Sequence, residues 1–352
     1  MRICIVGAGA IGGFLGARLA LSGQDVTLIA RGAHLAAIRR NGLKLVMADG
    51  ATHVAPGIRA TDNFTEAGDH DVVVLALKAH QIAEVAASIP ALMKKRATIV
   101  TVQNGIPWWY FQKLEGPYRD RRLESLDPGG RIAAHIDADR IVGCIAYPAC
   151  EIGEPGVIRH VEGNRFPVGE LEWPESHRTE MLAGLLTEAG FKSFVLDDIR
   201  SEIWLKAWGN LTFNPVSALT HSTLEDICRF PPTRNLAESM MLEAQEIAHK
   251  LGISFRHTIE KRIAGAEAVG AHKTSMLQDV ELGKALETEA LIGAVVELGH
   301  MTETPTPHID AVYACTSLLA RSLSNANRGL SLDGRRAAAA IVESMPMVDA
   351  AE

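Results

Sequence analysis

The feature that most constrains this chain is Gly7-Ala-Gly-Ala-Ile-Gly12, set between a run of buried-strand character, Arg2 to Val6, and a small-residue helical pattern, Gly13 to Leu21. Gly-x-Gly-x-x-Gly in that setting forms a tight strand-to-helix turn, lets backbone approach a pyrophosphate and packs helix closely on strand. The N–H groups at the start of the helix then face the phosphates. Gly7, Gly9, Ala10, Ile11 and Gly12 are therefore the expected cofactor cradle. A plain tight connection would also use glycines, but here strand, turn, helix and next strand follow in order.

That next strand, Asp25 to Ala30, decides which dinucleotide is expected. An NAD site carries an acidic residue at its end to hold the ribose 2′-hydroxyl. This chain has Ala30-Arg31-Gly32 instead. A guanidinium there suits a 2′-phosphate, so NADP(H) is the expected cofactor and Arg31 its ligand; the plainer reading of Arg31 is a solvated loop cation.

Asp71 to Leu77 and Thr98 to Val102 are unbroken apolar runs, as expected of parallel strands covered on both faces. Ligands of open α/β sheets sit beyond the carboxyl ends of such strands, which places Lys78 and Asn104 at the cofactor crevice. Each has a bland alternative, a surface lysine and an Asn-Gly turn. Trp108 to Gly130 reads as an irregular excursion, either a substrate lid or a packed surface loop. Short strands over Ile141–Tyr147, Gly156–His160 and Arg165–Gly169 are expected to extend the sheet in antiparallel fashion, with Lys192–Leu196 as a last strand.

After Asp198 the strand patterns end and helical periodicity takes over. The expected fold is thus α/β: a doubly wound dinucleotide-binding domain over 1–198, followed by an all-helical domain over 199–352. Asp197-Asp198 is suited to cap the first helix of that second half. Along this helix Lys206, Asn210 and Asn214 recur every four residues and share one face. An ammonium donor beside two carboxamides suits a substrate carrying a carbonyl and further oxygens. Ser275 with Gln278 fits a capping box, and its hydroxyl equally fits a substrate carboxylate.

Composition narrows the partners. With 47% apolar and 22% charged residues and a net charge of −7, the chain is an ordinary globular protein without the basic excess of a nucleic-acid binder. Five cysteines without Cys-x-x-Cys, and thirteen scattered histidines, suggest neither a disulfide framework nor a metal site. No membrane-length apolar run or signal peptide is read, so a reduced, cytoplasmic setting and small-molecule partners are expected. The helical half could carry a homodimer contact, although no sequence stripe marks one.

Taken together, Gly7 to Gly12, Ala30-Arg-Gly32, Leu77-Lys-Ala-His-Gln81, Asn104-Gly105, Lys206 with Asn210 and Asn214-Pro215, and Ser275 to Asp279 resemble, in order, the motifs of the ketopantoate reductase (2-dehydropantoate 2-reductase) family. The resemblance spans most of the chain. It implies an NADPH-dependent reduction of a 2-oxo acid, with the nicotinamide between a Rossmann domain and a helical domain. It further implies Lys206 as general acid, Asn210 and Asn214 on substrate oxygens, Ser275 on the carboxylate, Asn104 at the reacting region, and Arg31 with Lys78 on the cofactor. Partial burial beside the cofactor would lower the lysine pKa toward a useful range, and a nearby carboxylate would oppose that. Aligning on Gly293 to Val296 selects Glu287 as the family's active-site carboxylate, with Glu289 second; Ile292 stands where the family has asparagine. With Trp108-Trp109, that departure points to a more apolar pocket. Two alternatives therefore stand beside ketopantoate reduction. One is the same chemistry on a bulkier or more apolar 2-oxo acid; the other is an NADP(H)-binding redox sensor, which would have no need of Lys206. A β-hydroxyacid dehydrogenase would carry a different glycine-rich substrate motif between the cofactor loop and its lysine.

Overall fold

The computed structural model describes residues 1–172 and 176–332. Contacts divide it into two compact units, the first running from Met1 to Trp204 and the second beginning at Leu205.

The first unit is built on a seven-stranded sheet of β1 (Arg2–Val6), β2 (Asp25–Ile29), β5 (Arg59–Thr61), β6 (His70–Leu75), β7 (Met93–Thr101), β8 (Ile141–Cys144) and β11 (Val168–Glu170). Its spatial order is β11-β8-β7-β6-β1-β2-β5, and every pairing is parallel except β11 with β8. The chain winds outward from β1 to one side and then returns to its other side with β6. That reversal is the topological switch point, where the carboxyl ends of neighbouring strands diverge and leave a crevice. Four of five β1 residues and five of six β6 residues are buried, which explains why these strands read as continuous apolar runs.

A second sheet of four strands was not legible as such. It contains β3 (Leu43–Val46), β4 (Thr52–Ala55), β9 (Ala149–Glu154) and β10 (Val157–Glu162), in the order β4-β3-β10-β9. The expected strand at Gly156–His160 therefore does not extend the main sheet; it pairs in parallel with β3, more than a hundred residues earlier. This sheet lies on the helix Ala10–Leu21, where a Cβ on Gly13 would come within 2.6 Å of Ile158 Cδ1. Ile141–Cys144 and Val168–Glu170 do extend the main sheet, the former in parallel and the latter antiparallel. Lys192–Leu196 makes only two isolated bridges, Arg165 to Lys192 and Val168 to Val195.

The Trp108–Gly130 excursion begins as core. Trp108, Trp109, Tyr110 and Phe111 are 0–4% exposed. Trp109 Nε1 donates to Thr101 Oγ1 at 3.1 Å, and Trp204 Nε1 donates to Tyr110 Oη at 2.7 Å. Arg200 fastens the segment from the other side, donating to the carbonyls of Tyr110, Gln112 and Leu171 at 2.6–2.8 Å. Of the two readings, the packed one holds for this aromatic stretch.

The second unit is helical throughout its described residues, with Leu224–Arg229, Pro231–Lys250, Ile259–Ala268, Ser275–Glu281, Ala294–Met301 and Pro307–Ala326. The chain enters it along the 22-residue helix Ile199–Thr220, and the division between the units falls inside that helix. Asp198 starts the helix, accepting from the backbone N of Arg200 at 2.9 Å and from the Ser201 hydroxyl.

Candidate functional site

In the first unit the glycine loop has the shape a dinucleotide requires. Gly7 sits at φ +101°, a left-handed geometry open to glycine, and its N–H donates to Ile29 O at 3.1 Å, tying the loop to β2. A Cβ on Gly12 would lie 2.0 Å from Gly7 O and 2.8 Å from the Ala76 Cβ, so the helix can close on the turn only without a side chain. A Cβ on Gly9 would meet nothing within 4 Å. The loop is thus sealed on its protein side and open at Gly9, where a pyrophosphate would approach. Ala10 opens the helix and Ile11 follows it, both half-buried.

The other cofactor candidates stand at the same edge of the sheet. Arg31 is exposed and is the N-cap of the helix Gly32–Asn41, just past β2. Lys78 is half-buried at the head of the helix Ala79–Val85, past β6, and its backbone N donates to Gln81 Oε1 at 3.2 Å. Asn104 is half-buried past β7. Its neighbour Gln103 fixes that turn by donating from Nε2 to Leu75 O at 2.5 Å, joining the ends of β6 and β7. The loop and these three side chains fit a phosphorylated dinucleotide: open backbone for the diphosphate, cations for the phosphate charge.

His34 belongs to this region and was not read from the sequence. Its Nδ1 accepts from Gly156 N at 3.0 Å, joining the helix after Arg31 to the tip of the second sheet. Burial pushes its pKa below the usual histidine value, opposed by a hydrogen bond with the Ala8 backbone. The signal that could have found it lies in a long-range contact, which no local pattern displays.

In the second unit, Lys206, Asn210 and Asn214 all fall on the unbroken helix Ile199–Thr220, at successive intervals of about 6 Å along its axis. Lys206 and Asn210 are half-buried, and Asn214 is 6% exposed. The structure brings Ser275 to this row, with Asn214 Nδ2 3.5 Å from its hydroxyl oxygen. The capping reading of Ser275 is corrected. Thr274 is the cap, accepting from Leu277 N at 3.3 Å, while Gln278 reaches back to Lys273 O at 3.1 Å. Ser275 is the first residue of that helix and is exposed.

The two candidate carboxylates differ in their surroundings. Glu289 opens a π-turn, Glu289–Gly293, and accepts from the Tyr313 hydroxyl at 3.0 Å through both oxygens. Its carboxylate lies over Gly293, where a Cβ would come within 2.3 Å of Oε2. Burial, and then the hydrogen bond to Glu289, raise the Tyr313 pKa, so the phenol stays a donor. Glu287 is half-buried two residues earlier. Ile292 is fully buried, so the residue that replaces the family's asparagine is packed as core.

One buried carboxylate outside the expected set lies a turn before Lys206. Glu202 is 3% exposed and accepts from the Tyr147 hydroxyl and from Arg165 Nη2, the latter at 3.1 Å. Arg165 in turn stacks 3.7 Å from the Tyr147 ring centroid. Burial, and then the hydrogen bond to Glu202, hold the phenol protonated well above its ordinary range. No group of three or more metal-ligating side chains occurs among the described residues, and none of their helices is long and apolar enough to cross a membrane.

A doubly wound sheet with this glycine turn, followed by a helical unit whose first helix presents lysine and two asparagines, defines a Rossmann-type oxidoreductase. Family models agree along most of the chain: residues 3–173 match ketopantoate reductase PanE/ApbA, and residues 198–320 match its C-terminal part. The chain belongs to the ketopantoate reductase family. It is 51% identical to a 2-dehydropantoate 2-reductase of Mesorhizobium japonicum, over 91% of this chain and 98% of that one. Among solved structures it resembles a putative ketopantoate reductase of Ralstonia solanacearum, with a TM-score of 0.87 and 41% identity over 91% of this chain and 98% of that one. A 2-dehydropantoate 2-reductase of Geobacter metallireducens gives a TM-score of 0.79 at 27% identity, covering 90% and 99% of the two chains.

Proposed function

We propose that this protein reduces a 2-oxo acid to the 2-hydroxy acid at the expense of NADPH, and that the acid is 2-dehydropantoate (ketopantoate), the product pantoate. The observation that carries the reading is the unbroken helical row Lys206, Asn210, Asn214, with Ser275 in reach of its far end. The half-identical 2-dehydropantoate 2-reductase of Mesorhizobium japonicum supports the choice of substrate.

A bound reduced nicotinamide would supply the hydride for the carbonyl carbon. The chain's own residues do the rest. Lys206 donates a proton from Nζ to the carbonyl oxygen as negative charge gathers there, and is reprotonated from solvent. Asn210 and Asn214 offer amide donors and acceptors to the remaining substrate oxygens, and Ser275 adds a hydroxyl beside Asn214. Gly7 to Gly12 would present backbone N–H groups to the diphosphate, Lys78 would add charge, and the Arg31 guanidinium would hold the 2′-phosphate.

A bulkier, more apolar substrate was suggested by Ile292 and the two tryptophans. Ile292 is fully buried and Trp108 and Trp109 are 4% and 2% exposed, so these residues serve packing, and ketopantoate is the preferred reading. The test is NADPH oxidation by purified protein across 2-oxo acids from ketopantoate to branched and aromatic ones. Selective turnover of ketopantoate is expected. A preference for another acid would replace the substrate, and silence on all of them would return the redox-sensor reading.

A further inference from the structure

The parallel pairing of β6 with β7 ends at Leu75 and Thr101, with a last backbone bond from Val102 N to Leu75 O at 3.2 Å. Beyond that rung a side chain carries the connection. Gln103 Nε2 donates to Leu75 O at 2.5 Å and lies 3.5 Å from Leu77 O. With two carbonyls facing its nitrogen, the carboxamide cannot turn over without setting oxygen against oxygen, so its orientation is fixed. Its Oε1 is then buried with no hydrogen-bond partner among the described residues. An unmet buried acceptor lowers stability, and an apolar side chain of the same length would avoid that loss. What the glutamine supplies instead is position. Leu77, at the far end of its reach, lies over the glycine turn, where a Cβ on Gly7 would come within 2.8 Å of Leu77 Cδ2. The next residue is Lys78, whose backbone N is held from the helix side by Gln81 Oε1 at 3.2 Å. The residue after Gln103 is Asn104. The glycine turn, Lys78 and Asn104 follow three different strands, and Leu77 with Gln103 joins all three.

From this we infer that Gln103 is a positioning residue for the cofactor: by holding the segment from Leu75 to Leu77 it sets the glycine turn and Lys78 at a fixed spacing from Asn104. The inference rests on the proposed reading of Lys78 and Asn104 as cofactor contacts. A dinucleotide is long and is gripped at points far apart, so an error in the spacing of those points reaches the reacting end, where a displacement of about 1 Å lowers the rate by about 10²-fold. In this role Gln103 acts through Leu75 and Leu77 rather than by touching the ligand. That separates it from the residues expected to bind the cofactor directly, and it makes the contributions of Lys78 and Asn104 depend on one another although they follow different strands.

The experiment is a double-mutant cycle on the full chain. Gln103→Met keeps the length of the side chain and removes both donors; it should raise the Kd for NADPH, read by fluorescence titration, by about tenfold and lower kcat on ketopantoate by about fivefold. Lys78→Ala should weaken NADPH by about tenfold in the unaltered protein but by no more than about threefold beside Gln103→Met, because the contact is already misplaced. Asn104→Ala should lose its effect on kcat in the same way. Gln103→Asn, one methylene too short to reach Leu77 O, should follow Gln103→Met, which keeps the test available should the methionine variant fold poorly. Additive effects, with each single loss reappearing in full in the double variant, would reduce Gln103 to a brace of the sheet and overturn the inference. So would a lowered unfolding midpoint with NADPH affinity within about twofold of the unaltered protein. The single variants separate the two levels. If Lys78→Ala and Asn104→Ala leave NADPH binding and turnover intact, the cofactor reading of those residues falls and the inference with it; if both matter and the cycle is additive, the positioning role alone falls.

Discussion

In the first unit the glycine turn offers backbone as its candidate contact, joined by the side chains of Arg31, Lys78 and Asn104, whereas in the second unit the candidates are side chains alone. The loop from Gly7 to Gly12 works because side chains are missing, with Gly7 O and Ala76 closing the space a Cβ on Gly12 would need. The row from Lys206 to Asn214 would work, on the proposed reading, because side chains are present, spaced by a helix that would form with many other residues in their places. On the proposed reading, backbone positions would recognise a part of the ligand common to many enzymes and would fail by distortion of the fold, whereas side-chain positions would recognise the reacting end and fail in chemistry while the fold survives.

The sharpest way to break that contrast is Lys206→Ala, for which kcat should fall by about 10²- to 10⁴-fold while NADPH affinity, read by fluorescence titration, stays within about twofold. Loss of cofactor binding together with turnover would mean the two regions are not separable. Next in size, Gly12→Ala should lower stability by about 1–3 kcal/mol in denaturant unfolding and weaken NADPH at the same time. An unshifted unfolding midpoint would show that the turn tolerates a side chain after all. Arg31→Ala, an exposed exception among backbone contacts, should weaken NADPH by about 10- to 100-fold and NADH hardly at all, with no change in unfolding. Equal weakening of both would remove the 2′-phosphate assignment.

Smaller effects sharpen the picture within each unit. Glu287→Gln should lower kcat by about tenfold and Glu289→Gln by less than about twofold, since Glu287 is half-buried at the position that aligns with the family's carboxylate whereas Glu289 is exposed. The reverse ranking in steady-state kinetics would exchange their roles. His34 gives the smallest signal. Its folded pKa lies below the unfolded value, so its contribution to stability is complete above the ordinary histidine pKa near 6.5 and is lost as pH falls through the lowered value. Protonation of Nδ1 would also forfeit the bond from Gly156 N. Unfolding midpoints followed from neutral to mildly acidic pH should therefore fall less steeply in His34→Asn than in the unaltered chain.

What could be read from the sequence follows the same division. Gly7 to Gly12 and the Lys206 row are local patterns, one a turn and the other a helical period, and neighbouring residues suffice to read them. The second sheet was missed because its decisive pairing joins Val157–Arg159 to Lys44–Val46, and nothing within either segment names the other. Of the two readings left open for Ser275, the capping one fails by one residue, since Thr274 and Ser275 both carry a hydroxyl and only backbone geometry separates them. His34 shares the difficulty: its hydrogen bond is to Gly156, a residue remote in the chain.

The small sheet packed over the helix Ala10–Leu21 has a thermodynamic consequence. Ile158 presses on Gly13 from one side and Ile5 of β1 lies against Gly12 and Gly16 from the other, so the protein's own packing holds this helix. Cofactor capture then requires little ordering of the cradle, and its free energy is not spent on folding a loop. Calorimetry should accordingly record a heat-capacity change on NADPH binding far smaller than that of a segment that folds around its ligand.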